Sequence, residues 1–175
     1  MYLGANLEDS MINEVAKVAR ASALKNKEFI CIETFSGYGS SMQDPKGSQH
    51  LLSPDADDSE LGAAALDALG RSRFVLPEED SDLFDYKLKA ERYAAWVEKL
   101  IVAFGYGTKY ELFKNMISCD LESKNGLITL FPTNHDELEG WSGDGISKED
   151  YVVISANSSA EEVGAALRVG FSRCK

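Results

Sequence analysis

The chain has 175 residues, 44% hydrophobic and 27% charged, and its 29 acidic residues outnumber 18 basic ones to give a net charge of −11. We expect one domain over residues 1–175, because a chain of this length buries roughly 70% of its unfolded surface and needs neither disulfides nor a metal. The negative charge argues against direct binding of nucleic acid or anionic lipid, and no apolar run approaches the roughly 20 residues that span a bilayer. Three widely spaced cysteines and no N-terminal secretory pattern predict a cytoplasmic protein.

Apolar periodicity in the first half of the chain predicts two helices and two strands around a long loop. Helical spacing of Ile12, Val15 and Ala19 indicates the first helix. The stretch EFICIETF that follows has the β-branched and aromatic residues of a core strand. In chain order we expect a helix at 9–26, a strand at 28–35, a loop at 36–48, a strand at 50–53 and a helix at 59–69.

The second half begins with the longest predicted helix and ends with a strand and a helix. Gly105 is the natural C-terminal stop of the long helix. The dipeptide Asn125-Gly126 between two alternating apolar runs is typical of a tight β-hairpin. We expect helices at 83–104 and 109–115, hairpin strands at 116–122 and 127–131, a strand at 151–155 and a helix at 159–174.

Two segments of the chain resemble each other without a gap. SPDADDSELGAAAL, starting at Ser53, aligns with SANSSAEEVGAAL, starting at Ser155, and both read as strand, polar turn and helix. Glycine in the first half of a helix costs about 1 kcal/mol relative to alanine, so Gly62 and Gly164 indicate helices that pack closely against a neighbour. The sequence therefore predicts an α/β domain of the α+β kind, with a central, mostly antiparallel sheet flanked by helices, and suggests two strand-turn-helix halves.

The glycine-rich stretch FPTNHDELEGWSGDGI at 131–146 concentrates a histidine, four carboxylates, a tryptophan and three glycines, a composition typical of a catalytic loop. Its GWSGD segment differs from a nucleophile elbow because Asp144 stands where the last glycine belongs. The chain has only two histidines, and the acids near His135 match neither the HExxH nor the EF-hand pattern. We therefore expect no enzyme, cofactor or metal site, and we read His135 and Trp141 as packing residues; a small hydrolase or transferase that uses 135–144 remains the alternative.

The C-terminal part of the chain resembles the immunity proteins of bacterial contact-dependent growth inhibition systems. The resemblance is carried over roughly 105–175 by a P-x-x-H-x-x-L-x-x-W segment and a closing S-x-x-E-hydrophobic-G-x-A-L helix. These positions are Pro132, His135, Leu138 and Trp141, then Ser159, Glu162, Val163, Gly164, Ala166 and Leu167. The resemblance implies a cytoplasmic antidote that binds the C-terminal toxin domain, commonly a nuclease, and that can accept a toxin β-hairpin as added strands.

Charge clustering gives the candidate partner-binding residues. Carboxylates in PDADDSE and PEEDSDLFD suit solvated loops or helix N-termini, or they steer a basic partner such as a nuclease. We expect the steering from Asp55, Asp57, Asp58, Glu78, Glu79, Asp80 and Asp82. Candidate aromatic anchors are Tyr38, Tyr106 and Trp141, and Asp144 is expected to face a protein partner.

Overall fold

A seven-stranded sheet forms the centre of the computed structural model, which describes residues 18–175. All its ladders are antiparallel, which confirms the predicted sheet. Its order is β4–β2–β1–β5–β6–β9, with β3 beside β4 along the same edge of β2. β7 and β8 pair separately. The strands are β1 (Ala19–Lys25), β2 (Ile30–Gly37), β3 (Ser41–Gln43), β4 (Gln49–Leu52), β5 (Ile117–Lys124), β6 (Leu127–Pro132), β7 (Asn134–Glu137), β8 (Gly140–Ser142) and β9 (Val152–Ser155).

Five helices flank the sheet in the part of the chain that the structure describes. The helices predicted at 59–69, 109–115 and 159–174 are confirmed with slightly shifted ends. The single helix predicted at 83–104 is wrong at its start, because Asp85 has an extended backbone and caps a new helix by accepting a hydrogen bond from the N–H of Leu88. The helices are α1 (Asp58–Gly70), α2 (Ser81–Phe84), α3 (Tyr86–Phe104), α4 (Lys109–Phe113) and α5 (Ala160–Ser172).

β1 takes the place of the last part of the first predicted helix. Residues 19–25 pair with both β2 and β5, so this part of the prediction is wrong; its earlier part lies outside the described residues. Ala21 and Ala23 are buried beneath α1 and α5. Their spacing of two residues is the period of a strand. Ala19 and Ala23 also have the four-residue spacing of a helix, so the spacing alone allows either structure. Pairing with the two flanking strands makes this segment a strand.

The backbone dihedrals confirm the hairpin between β5 and β6. Asn125 and Gly126 have φ angles of 53° and 76°, the two positive values that a type I′ turn requires. The loop predicted at 36–48 is wrong in one respect, because it contains β3, which pairs with the last residues of β2.

The first face of the sheet is covered by α1 and α5, which touch at their glycines. A Cβ atom on Gly62 would lie 1.6 Å from the carbonyl oxygen of Ala160, and one on Gly164 would lie 1.8 Å from that of Asp58. The close packing predicted from the two glycines is therefore present. Each glycine faces the first turn of the other helix, so the contact is reciprocal.

The reciprocal contact belongs to a pseudo-two-fold arrangement of the sheet. β1, β2, β4 and α1 correspond in order to β5, β6, β9 and α5, and the axis passes between β1 and β5. Ala19 pairs with Ser123 and Lys25 with Ile117, so the register is symmetric about the pair of Ser22 and Asp120. The repeat thus extends over three strands and a helix. Residues 71–116, with α2, α3 and α4, have no counterpart in the second half.

Candidate partner-binding cleft

The second face of the sheet is covered by α3 over β2. Cys31 alternates along β2 with Ile30 and Ile32, which face α1 and α5, so Cys31 faces the opposite side. There it joins a second hydrophobic cluster with Val97 and Leu100 of α3. Because this cluster holds only part of α3 against the sheet, the rest of the helix stands apart from β2.

A cleft of about 580 Å³ opens between α3 and the β2–β3–β4 edge of the sheet. Glu33 and Phe35 of β2 lie on its sheet side, and Tyr93 and Trp96 of α3 form part of the opposite wall. The volume is within the range of protein pockets that bind a ligand or an inserted side chain. Within residues 18–175, β3 pairs only with β2, so its outer edge is available beside the cleft.

Glu33 is a buried carboxylate on the sheet side of this cleft. The residue is 8% exposed, and its Oε1 accepts hydrogen bonds from Gln49 Nε2 at 2.9 Å and from Cys31 Sγ at 3.3 Å. Desolvation by burial raises the pKa of Glu33, and these two hydrogen bonds only partly oppose the rise. No lysine, arginine or histidine of residues 18–175 forms an ion pair with it. Within the described range, the carboxylate therefore has neutral partners only.

Three cations of α3 line the opposite side of the cleft: Lys89, Arg92 and Lys99. None of them forms a salt bridge with another described residue, although Arg92 donates a hydrogen bond to the carbonyl oxygen of Asp82 at 3.2 Å. We call these three residues the α3 ridge. The cleft thus combines a buried acid with a basic wall in a chain whose net charge is −11.

A buried ion pair fixes the loop between β3 and β4 at the mouth of the cleft. Asp44 lines the cleft, its side chain is 0% exposed, and Arg73 binds both of its carboxylate oxygens, at 2.7 and 2.9 Å. Arg73 also reaches Asp80 at 3.2 Å, and Lys46 reaches Asp80 at 2.7 Å. Burial alone would raise the pKa of Asp44, but hydrogen bonds from Arg73, Ser36 and a backbone N–H hold it below its usual value.

The stretch at 131–146 forms a structural corner beside the cleft. The ring of His135 stacks on Trp141 with centroids 5.0 Å apart, and the Trp141 Nε1–H donates to the carbonyl oxygen of Met116 at 2.9 Å. Glu139 accepts hydrogen bonds from the Tyr93 hydroxyl at 2.6 Å and from Lys109 Nζ at 2.9 Å. Since Tyr93 lines the cleft, the β7–β8 hairpin holds the cleft wall in place.

The structure gives several of the predicted acidic residues internal partners. Asp57 caps α1 in a capping box with Glu60, Asp58 pairs with Arg168, and Glu79 accepts from the N–H of Leu76. Asp80 belongs to the Arg73 network. The carboxylates of Asp55, Glu78 and Asp82 have no hydrogen-bond or ion-pair partner among residues 18–175.

The predicted aromatic anchors and Asp144 differ in their exposure and contacts. Tyr38 is 43% exposed and packs against Phe84 at 5.6 Å, and the Tyr106 hydroxyl accepts a hydrogen bond from Asn26. Trp141 is half-buried in the corner described above, and Asp144 is exposed. None of the candidate partner-binding residues, all of which the structure describes, lines the cleft. Their role in binding stays a prediction.

Sequence reasoning missed Glu33 and the α3 ridge. Glu33 had a signal, because it is a charged residue between Ile32 and Thr34 in a strand assigned to the core. No sequence signal pointed to the α3 ridge, because lysines and an arginine on a long helix are typical of a solvated face. Only the fold brings α3 over β2.

Residues 18–175 contain neither a cluster of metal-ligand side chains nor a helix suited to a membrane. Within 18–175, no group of three or more His, Cys, Asp and Glu side chains is placed to hold a metal ion. In the same range, no helix combines the length and the apolar character that crossing a membrane would require.

Comparison with known proteins gives the class to which this fold belongs. The family model described as "CDI immunity protein" matches residues 19–174, which include the sheet, all five helices and the cleft. The chain belongs to the family of immunity proteins of contact-dependent growth inhibition (CDI) systems, as its resemblance predicted.

Known proteins are similar to this chain over nearly its whole length. The immunity protein CdiI-YPIII of Yersinia pseudotuberculosis serotype O:3 (strain YPIII) is 47% identical over 176 residues, 94% of this chain and 99% of that protein. A chain of the solved CdiA-CT/CdiI toxin and immunity complex from Yersinia pseudotuberculosis is 48% identical, with a TM-score of 0.86 over 91% of this chain and 98% of that one. A protein of unknown function from Neisseria meningitidis, NMB0488, is 36% identical, with a TM-score of 0.83 over 91% of this chain and 97% of its own.

Proposed function

We propose that this chain binds the C-terminal toxin domain of a CDI effector in the bacterial cytoplasm and neutralises it without chemistry of its own. The observation that carries the proposal is the similarity, over 91% of the chain, to a chain of a toxin and immunity complex. Tight binding that covers a toxin's active surface is enough to inhibit it.

The cleft is the surface best suited to receive the toxin. It joins a concave volume of about 580 Å³ to the outer edge of β3, and an added strand forms main-chain hydrogen bonds with such an edge. Side chains of the same segment can enter the cleft and provide specificity. Docking here agrees with the strand addition that the family resemblance implies.

We propose further that the toxin is a basic protein, most simply a nuclease. An enzyme that acts on a polyanion needs a positive surface, and a chain of net charge −11 is complementary to it. Carboxylates of the immunity protein would then lie where phosphates lie during catalysis.

Co-expression tests the function directly. The test uses the C-terminal toxin domain of the CDI effector gene that we expect immediately upstream. That domain is produced in cells with and without this chain, and growth and co-purification are measured. We expect the chain to restore growth and to elute with that toxin domain as one complex, and to do neither with the toxin domain of an unrelated CDI system. Growth arrest despite full production of the soluble chain, with no complex, would contradict the proposal.

The hydrolase or transferase alternative on 135–144 is not favoured. The chain belongs to an immunity family, and His135 uses its ring to stack on Trp141 and its Nε2 to bind the carbonyl oxygen of Leu138 at 2.9 Å. These contacts suit a residue that fixes the β7–β8 hairpin.

The acidic segment around α2 is expected to accelerate association with a basic toxin. We expect the triple variant Glu78→Gln, Glu79→Gln, Asp82→Asn to lower the association rate constant roughly three- to tenfold at low salt, because long-range steering depends on net and local charge. The dissociation rate constant should change little. Stopped-flow or surface-based kinetics at several salt concentrations measures both.

The matched control removes three exposed carboxylates outside both acidic clusters, by Glu137→Gln, Glu149→Gln and Glu161→Gln. It has the same net charge as the first variant. Equal slowing by the two variants would show that net charge alone is responsible and that the segment around α2 has no special role.

A further inference from the structure

We infer that the toxin segment in the cleft carries a lysine or arginine that binds Glu33 and, on the same face of the segment, an aspartate or glutamate that meets the α3 ridge. This inference rests on the proposed function and specifies the chemistry of the partner at the cleft. It places recognition on residues that neither acidic cluster contains.

Glu33 is a buried carboxylate with no cationic partner among residues 18–175. Its partners are the amide of Gln49 and the thiol of Cys31, both neutral, and the residue is 8% exposed. An ionised group in such a place is stabilised strongly by a cation that reaches it, because the surrounding dielectric is low. A cationic side chain from the partner would supply the missing charge without displacing either hydrogen bond.

The cleft is shaped for the stem of such a side chain. Phe35 of the sheet and Trp96 of the wall both line it, and long aliphatic stems and cationic groups bind well against aromatic rings. A lysine or arginine can therefore reach Glu33 from a segment held at the outer edge of β3. A short cationic group would leave the apolar surface uncovered.

The positive charge of the α3 ridge calls for an acidic residue in the toxin segment. Lys89, Arg92 and Lys99 line the same cleft, so a segment with only basic side chains would be repelled. In an extended segment, residues two apart point to the same side. A basic residue directed to Glu33 and an acidic residue two positions away would therefore both enter the cleft, and this pairing distinguishes the cognate toxin from basic proteins in general.

Calorimetry with the full chain measures its affinity for the toxin domain that forms the complex in the co-expression test, and this affinity tests both contacts. We expect Glu33→Gln and Lys99→Glu each to weaken binding at least about tenfold, because each removes one partner of a desolvated charge pair. Glu91→Gln and Lys87→Glu change exposed residues of α3 outside the cleft lining, and both should stay within about twofold of the wild type.

Thermal unfolding separates recognition from a structural role of Glu33. Glutamine keeps the shape and the hydrogen-bonding oxygen of glutamate but removes the desolvated charge, so Glu33→Gln should unfold at the same or a higher temperature while it binds more weakly. A lower melting temperature together with unchanged affinity would overturn the inference.

The pH dependence of affinity gives a second measurement. Burial raises the pKa of Glu33. Protonation of Glu33 abolishes its attraction for a cation, so wild-type affinity should be full above this raised pKa and fall as the pH drops through it, and Glu33→Gln should remove that part of the fall. The other charged groups that line the cleft are Asp44 and the α3 ridge. The pair with Arg73 keeps Asp44 ionised because its pKa is lowered, and His50 bonds Asp67 of α1 rather than Glu33. Identical pH profiles for the two proteins would contradict the role of Glu33.

The proposed function and this inference can fail separately. If the wild type does not bind the toxin domain, the proposed function is wrong and the inference falls with it. If the wild type binds and Glu33→Gln binds within about twofold as tightly, only the inference is wrong.

Discussion

Replacing Gly62 with alanine is expected to lower the free energy of unfolding by about 3 kcal/mol, at the upper end of the usual cost of overpacking. The new Cβ would lie 1.6 Å from the carbonyl oxygen of Ala160, and the atom in its way belongs to backbone that cannot rotate aside. Helices α1 and α5 must move apart, which loosens the core they form on the sheet. Gly164→Ala should cost about as much, because its Cβ would lie 1.8 Å from the carbonyl oxygen of Asp58. Urea unfolding followed by circular dichroism measures both.

Gly70→Ala is the matched control, since it makes the same substitution in the same helix. A Cβ on Gly70 would have no heavy atom of residues 18–175 within 4 Å, so the variant should be neutral or up to about 1 kcal/mol more stable. The double variant Gly62→Ala, Gly164→Ala should cost less than the sum of the single ones, because one separation of the helices relieves both clashes. Strict additivity would mean that the two contacts are independent and that the reciprocal packing does not act as a unit.

The elements that sequence reasoning found are those with a local physical cause. The hairpin between β5 and β6 follows from one dipeptide, Asn125-Gly126, whose backbone accepts positive φ. The repeat was visible because two glycines at equivalent helix positions carry a cost that only close packing explains. β1 could not be recognised in the same way, since Ala21 and Ala23 favour a helix by intrinsic propensity and the strand is specified by its neighbours on both sides.

The candidate site depended more on tertiary structure than the fold did. The acidic clusters are continuous in sequence and were easily found, but the fold uses some of their members as caps and ion pairs, as Asp57 and Asp80 show. Glu33 of β2 and Lys99 of α3 are far apart in the chain, and they line one cleft because α3 lies over the second face of the sheet. No local pattern encodes that placement.

Arg73→Met should lower the free energy of unfolding by about 3 kcal/mol and loosen the mouth of the cleft. Asp44 is completely buried, and methionine would leave its carboxylate without the two bonds that Arg73 donates. Breaking a buried pair from one side costs about 3–5 kcal/mol, and we take the low end because the Arg73 side chain is 34% exposed. Chemical unfolding at neutral pH measures the loss. Toxin affinity should also fall, because the loop between β3 and β4 borders the cleft.

The pH dependence of that loss identifies its cause. In the wild type the pKa of Asp44 is lowered, so its stabilising contribution is present above about pH 4 and is lost as the pH falls further. In the variant, burial without Arg73 should raise the pKa of Asp44, and protonation then removes the buried charge. The stability difference between the two proteins should therefore shrink from about pH 7 to about pH 4.

Arg71→Met is the matched control, because Arg71 pairs with Asp67 at 3.1 Å with its own side chain 58% exposed, and it should cost at most about 0.5 kcal/mol. Equal losses for Arg71→Met and Arg73→Met would show that the variants report the loss of surface charge and not an uncompensated carboxylate at Asp44.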